Sequence, residues 1–193
     1  MVIAICITFC GTKYSYTFDR GKAIDFSKGK WILNQNFTNL DSKAHVQSVT
    51  KDCFLEVIVD SLLYDSFRLN LENKLKTKDF PLHPSKKDLA HIREFTECDF
   101  LINVSTLKLK NNAGSFTFSR DYGTSIKKNE SVTKIWIYDL NTLELISKSQ
   151  STATNEVKET EDSGFGIVTS SYGLAFSSLR RLIKKYDKYR KDK

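Results

Sequence analysis

Between Ser85 and Leu109 the sequence passes from a helix into a strand with no linker, and this passage constrains the fold more than any other segment. Ser85-Lys-Lys-Asp88 has the reciprocal capping arrangement, with Asp in place of the usual Glu, and opens a helix to about Glu97. Cys98-Asp-Phe-Leu-Ile-Asn-Val104 follows at once and continues through Ser-Thr-Leu-Lys-Leu109 as a long strand. Its first half is apolar on both parities. That is the pattern of a strand covered on both faces, delivered to the middle of a sheet by a crossover helix. Phe100, Ile102 and Val104 should therefore share one buried face, with Leu101 packed on the other.

The flanking sequence supplies the remaining elements. Lys30-Trp-Ile-Leu-Asn-Gln-Asn-Phe37 reads as a strand. Val46, Val49, Cys53, Val57 and Leu62 recur at helical steps, with Asp52, Glu56 and Asp60 as a solvated stripe opposite. Phe67-Arg-Leu-Asn-Leu71 alternates like a short strand before a basic loop that ends at His83-Pro84. Residues 115 to 119 form a partner strand. Val132 to Tyr138 and Leu143 to Lys148 make a hairpin around Asp139-Leu-Asn-Thr142. Residues 155 to 168 read as an acidic loop. A last helix, capped near Ser170 or Ser171, carries the apolar stripe Tyr172, Ala175, Phe176, Leu179, Leu182, Ile183 and Tyr186. The fold class is α/β: a mixed, mostly antiparallel sheet of about four to six strands with about three packed helices. Residues 31–193 form one domain, and residues 11–30, polar with scattered aromatics, read as a tether or extended lead-in.

The first ten residues, Met1-Val-Ile-Ala-Ile-Cys-Ile-Thr-Phe-Cys10, are uncharged and apolar. Such a run fits the h-region of an export signal and is too short to span a bilayer. A cysteine closing it is where bacterial lipoproteins are cleaved and acylated, so Cys10 is the expected lipidation site and first residue of the mature chain. No Lys or Arg precedes the run, and Phe9 stands where a small residue is usual. The competing reading makes residues 2 to 9 a buried strand.

The net charge is +7. Residues 180 to 193 hold eight bases against Asp187 and Asp192, a net +6, which leaves the rest of the chain close to neutral. Arg180, Arg181, Lys184, Lys185 and Lys188 are the candidates for contact with an anionic surface. A solvated helix end that offsets the macrodipole, anionic lipid headgroups and a nucleic-acid arm each fit. Nucleic acid is the least favoured, because a duplex-binding domain spreads its bases over a folded face.

Of the four cysteines, Cys53 and Cys98 are candidates for a disulfide in an oxidising compartment; the alternative is two buried small apolar side chains. Their spacing does not suit zinc. Gly164-Phe-Gly166 is a fragment of a phosphate loop, and nucleophile-elbow, zinc-protease and Walker patterns are lacking. His45, His83 and His91 have no common spacing. Trp31, Trp136 and Tyr138 read as core. No catalytic, cofactor-binding or metal-binding residue is nominated, and no cofactor is expected.

Cys10, the helix running into Cys98-Asp-Phe-Leu-Ile-Asn-Val104, and the hairpin Trp136-Ile-Tyr-Asp-Leu-Asn-Thr-Leu-Glu-Leu-Ile146 occur in that order. This resembles the envelope lipoproteins of the TolB amino-terminal-like fold, which include the curli-secretion lipoprotein and the activators of penicillin-binding proteins. The likeness spans about residues 30 to 190. Where that pattern places a turn glycine, this chain has Leu143, so the turn must differ or the leucine must avoid positive φ. The resemblance implies a non-enzymatic, periplasm-facing protein held to the membrane by lipid, which binds another envelope protein or assembles with itself. The alternatives are an intracellular nucleic-acid-associated protein that uses the basic helix, and a small-ligand binder or hydrolase with a site assembled from scattered residues.

Overall fold

The computed structural model describes residues 11–66, 80–111, 125–159 and 169–191. Seven strands form one sheet: β1 (Lys13–Arg20), β2 (Trp31–Leu33), β3 (Phe37–Thr38), β4 (Leu63–Asp65), β5 (Phe100–Asn111), β6 (Ser125–Asp139) and β7 (Glu144–Glu159). Three helices accompany them among the described residues: α1 (Lys43–Leu55), α2 (Lys86–Thr96) and α3 (Ser171–Lys191). The sheet order is β1-β7-β6-β5-β2-β4, with β3 also paired to β5. The β1–β7, β7–β6 and β6–β5 pairs are antiparallel, and the pairs among β2, β3, β4 and β5 are parallel. The fold is thus α/β with a mixed, mostly antiparallel sheet, wider than the sequence indicates because β1 joins it.

β5 lies inside the sheet, as its composition requires. Ile102 and Val104 are fully buried in the core beneath α1 and α3, with Phe100 packed against them. Leu101 is fully buried on the opposite face with Ile32, Trp136 and Tyr138, covered by Leu89 and Ile92 of α2. The α2 capping box is formed: the Asp88 amide donates to Ser85 Oγ at 3.2 Å and the Ser85 amide donates to Asp88 Oδ2 at 2.8 Å. The Ser85 hydroxyl, donating to Asp88 Oδ2 at 2.7 Å, and then the Ser85 amide hold the Asp88 carboxyl below its ordinary range. At the other end of α2, Glu97 turns into the left-handed region (φ 52) and releases the chain into β5. Asp99 fixes the start of β5, accepting from the Lys30 amide at 2.8 Å.

Several expectations need correction. Residues 11–30 are not a tether. Lys13–Arg20 form β1, and Ile24 and Phe26 are core side chains. The chain leaves β1 at Gly21 (φ 56), where a Cβ would run into the Ile146 carbonyl oxygen, so only glycine closes this strand. The strand expected over Lys30–Phe37 is two short ones. It breaks at Asn34, which donates to the Phe80 carbonyl and to Asn103 Oδ1, both at 3.0 Å. α1 ends at Leu55, so Glu56 and Asp60 lie beyond it and the acidic stripe is not one helix face. β7 continues to Glu159 and takes in the first residues of the expected acidic loop. In the hairpin turn Leu143 itself adopts φ 56, so it neither avoids positive φ nor needs glycine's place taken by another turn. The segments 67–71, 115–119 and 160–168 lie outside the described residues.

Candidate functional site

β1 is an edge of the sheet, and along it three aromatic side chains meet cations and a tyrosine of the last helix. Its sequence, Lys-Tyr-Ser-Tyr-Thr-Phe-Asp-Arg, alternates from Lys13 to Asp19 and its side chains divide between two faces, with an irregularity in the pairing to β7 between Phe18 and Arg20. Tyr14, Tyr16 and Phe18 point to the α3 side and are half-buried, while Lys13, Ser15, Thr17 and Asp19 are exposed on the other. β1 pairs with β7 along one side (Lys13 opposite Thr154, Tyr16 opposite Ser151). Among the described residues nothing pairs with its outer side.

α3 runs alongside in step with the strand. Arg181 lies over the Tyr14 ring, its Cζ 4.4 Å from the centroid; Lys185 Nζ lies 5.2 Å from that of Tyr16. One turn further on, Tyr189 packs edge-on to Phe18 at 5.2 Å, and Lys22 covers the Tyr189 ring at 5.3 Å. Four helical residues rise about 6.0 Å and two strand residues about 6.7 Å, so three successive rungs stay nearly in register. Below this ladder Leu179, Leu182, Ile183 and Tyr186 are buried against the sheet. The inward positions of β7 are small and polar. The Tyr186 hydroxyl donates to Ser149 Oγ at 2.8 Å and lies 2.7 Å from Ser147 Oγ, and Ser178 Oγ lies 2.9 Å from Ser151 Oγ. Burial pushes the Tyr186 phenol above its ordinary range.

The five bases nominated from the sequence fall on one helix surface. Arg180, Arg181, Lys184 and Lys188 are exposed and Lys185 is half-buried. Four of them are already engaged. Arg180 Nε lies 2.9 Å from Glu56 Oε1 and Lys184 Nζ 3.9 Å from Glu56 Oε2, while Arg181 and Lys185 rest on the tyrosines. The sequence reading missed Glu56 as their partner and missed Tyr14 and Tyr16 entirely. The alternation of aromatics at 14, 16 and 18 is the signal for the tyrosines; nothing local marks Glu56. Cys10 lies outside the described residues, three positions before β1.

Cys53 and Cys98 are not joined. Both are free and buried, Cys53 on the inner side of α1 at one face of the sheet and Cys98 just after α2 at the other. The sheet stands between them, which no disulfide bridges. Burial pushes the Cys53 thiol up and that of Cys98 up to about 11. Neither is an activated nucleophile.

Two clefts lie away from this edge, and no β1 residue lines either. One of about 480 Å³ lies at the C-terminal end of α2, lined by residues including Arg93, Glu97, Asp99, Asn141 and Leu143. Both Asp99 oxygens are engaged there, by the Lys30 amide and by Asn141 Nδ2 at 3.3 Å. The other, about 580 Å³, runs beside β3 between Phe37, Phe80, Leu82 and Leu107. Among the described residues no group of three His, Cys, Asp or Glu side chains could hold a metal ion. His45, His83 and His91 are exposed, each edge-on to an aromatic ring: Phe176, Trp136 and Phe95 in turn.

No protein-family model matches the chain, and no curated protein matches it in sequence. Solved structures similar to it include the PelC dodecamer from Paraburkholderia phytofirmans, at 11% identity and a TM-score of 0.45, covering 91% of this chain and 97% of that one. Lipoprotein GNA1162 from Neisseria meningitidis matches at 6% identity and a TM-score of 0.36, over 86% of this chain and all 100% of that one. The LpoB C-terminal domain from Escherichia coli matches at 9% identity and 0.39, over 66% and 83%. The neighbours thus include a lipoprotein, the kind of protein that the sequence motifs resemble. At such scores the likeness carries no residue's role from one protein to another.

Proposed function

We propose that this chain is a non-enzymatic, lipid-anchored protein of the bacterial envelope, facing the periplasm, and that it works by holding a further polypeptide, a partner protein or a second copy of itself, along the outer edge of β1. The anchor rests on the apolar run that ends at Cys10 and on the polar sequence after it. The binding role rests on one observation: eight residues of β1 have a backbone edge that, among the described residues, is unpaired. An extended segment adds to such an edge through main-chain hydrogen bonds, with alternate side chains setting the choice of partner. The helix cations support this reading over a nucleic-acid one, because Arg180, Arg181, Lys184 and Lys185 are spent on Glu56 and on the tyrosine rings.

Fractionation combined with intact-mass measurement of the membrane-extracted protein tests the anchor. The expected species starts at Cys10 and carries several acyl chains, since one chain alone holds weakly. Unmodified protein that keeps Met1 and remains in the cytosol overturns the reading. A shift of nucleic acid at low salt, weakening steeply as salt rises, would support the rival instead.

A further inference from the structure

We infer that the occupant of the β1 edge is β1 of a second copy of this chain, paired antiparallel about a two-fold axis at Tyr16. The inference rests on the edge-binding reading above for the surface and adds the partner; it does not depend on the lipid.

The argument comes from the strand's own sequence. In an antiparallel pair, residues directly opposite share a face of the sheet, so like parity must meet like parity. With Tyr16 opposite its own copy, Tyr14 meets Phe18 and Ser15 meets Thr17. At both ends Lys13 meets Asp19. Every one of the seven positions from Lys13 to Asp19 then finds a chemically suited partner: aromatic with aromatic on the α3 face, hydroxyl with hydroxyl and cation with anion on the other. Moving the register by two residues either way leaves Lys13 or Asp19 unmatched. A self-complementary patch of this kind is what an isologous interface requires.

The strand's surroundings favour the same occupant. Edge strands are usually protected from pairing by charges along their length, by proline or by a covering element. Here the stretch from Tyr14 to Phe18 contains no charge, proline or glycine, and the one irregularity in its pairing with β7, between Phe18 and Arg20, begins where that stretch ends. Tyr14, Tyr16 and Phe18 are half-buried by α3, which holds them extended and leaves their outer flanks for a neighbour. Asp19 is held on the exposed face by Lys148, Nζ to Oδ2 2.7 Å, where a second cation joins it without displacing the first. Joined in this way, two seven-stranded sheets make one continuous sheet.

The test uses the full chain carrying Cys10→Ser, so that lipid does not contribute to the mass, in sedimentation equilibrium across a wide concentration range. A reversible monomer–dimer equilibrium is expected. Asp19→Lys sets lysine against lysine at both ends of the interface, and Lys13→Asp sets aspartate against aspartate. Each should weaken the dimer by roughly tenfold or more. Both positions are exposed, and the Asp19–Lys148 pair lost in Asp19→Lys is a surface pair that contributes little, so circular dichroism and melting temperature should stay close to those of the parent. The exchanged variant, Lys13→Asp with Asp19→Lys, should restore the dimer. A chain that stays monomeric at every concentration, an assembly of another order, or a dimer indifferent to both single reversals overturns the inference. Because the anchor is read separately, from the mass and location of the unsubstituted protein, its failure and that of the dimer are distinguishable.

Discussion

Arg181 lies over Tyr14 with its guanidinium carbon 4.4 Å from the ring centroid, and this contact is the first rung by which the last helix holds the first strand. The helix repeats its face every four residues and the strand every two, and the two distances differ by less than 1 Å. Charge that looked like a solvated tail is therefore part of the packing.

This contact should be measurable as a coupling. In a double-mutant cycle by urea unfolding, Arg181→Ala and Tyr14→Leu separately and together should give a coupling of about 0.5–1 kcal/mol, the value for a cation over an aromatic ring at a half-exposed site. Additive effects would mean that the guanidinium and the ring are neighbours without interaction.

Ile102 is fully buried between Leu33 of β2 and Ile137 of β6 in the core beneath α1 and α3. Its truncation, Ile102→Ala, should cost about 2–5 kcal/mol in equilibrium unfolding. A loss under about half a kcal/mol would remove β5 from the centre of the sheet.

Glu97 closes α2 with φ 52, a conformation in which its Cβ crowds the backbone. The residue is exposed, so replacing it forfeits little packing. Glu97→Gly should stabilise the protein by up to about 1 kcal/mol, read as a melting temperature raised by a few degrees. A fall in melting temperature would show that the Glu97 side chain contributes more than its backbone strain costs.

The buried thiols give a third observable. In a Cys6→Ser, Cys10→Ser background, the native protein should react negligibly with a disulfide reagent at pH 8 and release two thiols on unfolding. With the Cys98 thiol raised to about 11, only about one molecule in a thousand carries its thiolate at that pH. Rapid titration of either thiol in the native state would contradict this burial.

The box formed by Ser85 and Asp88 predicts the acid limit of α2. The Asp88 carboxyl is held below the ordinary 3.8 by its bonds to Ser85, so the stabilisation is complete above that value. It is lost as pH falls through the folded carboxyl's lower value. Ser85→Ala removes the hydroxyl's bond and leaves the amide's, so it should reduce this pH dependence, which the chemical-shift titration of Asp88 reports directly.

What the sequence disclosed follows from how each element buries itself. β5 was legible because Phe100, Leu101, Ile102 and Val104 are apolar on both parities, and α2 because Ser85 and Asp88 mark its start. α3 was legible in its stripe, with Leu179, Leu182, Ile183 and Tyr186 all buried as expected. β1 was missed because its inward side chains are aromatic and its outward ones small and polar, which lowers its hydropathy to that of a linker. The far half of β7 was missed for a related reason: Ser147, Ser149 and Ser151 occupy buried positions, where they let α3 approach closely, so the strand shows no apolar alternation. The Glu56 bridges and the separation of Cys53 from Cys98 are products of topology, decided by residues distant in sequence.

The nearness of Cys10 to β1 limits what an anchored chain can do. From Cys10 to Lys13 there are three residue steps, at most about 11 Å of extended chain. A single copy held at Cys10 has no stalk and stays beside the bilayer, free only to pivot about that point. In a pair joined through β1 the strands run opposite ways, and the two Lys13 residues stand about 20 Å apart along them. Both anchors then reach one membrane only when the joined sheet lies flat upon it, so pairing would turn a swinging domain into a fixed platform.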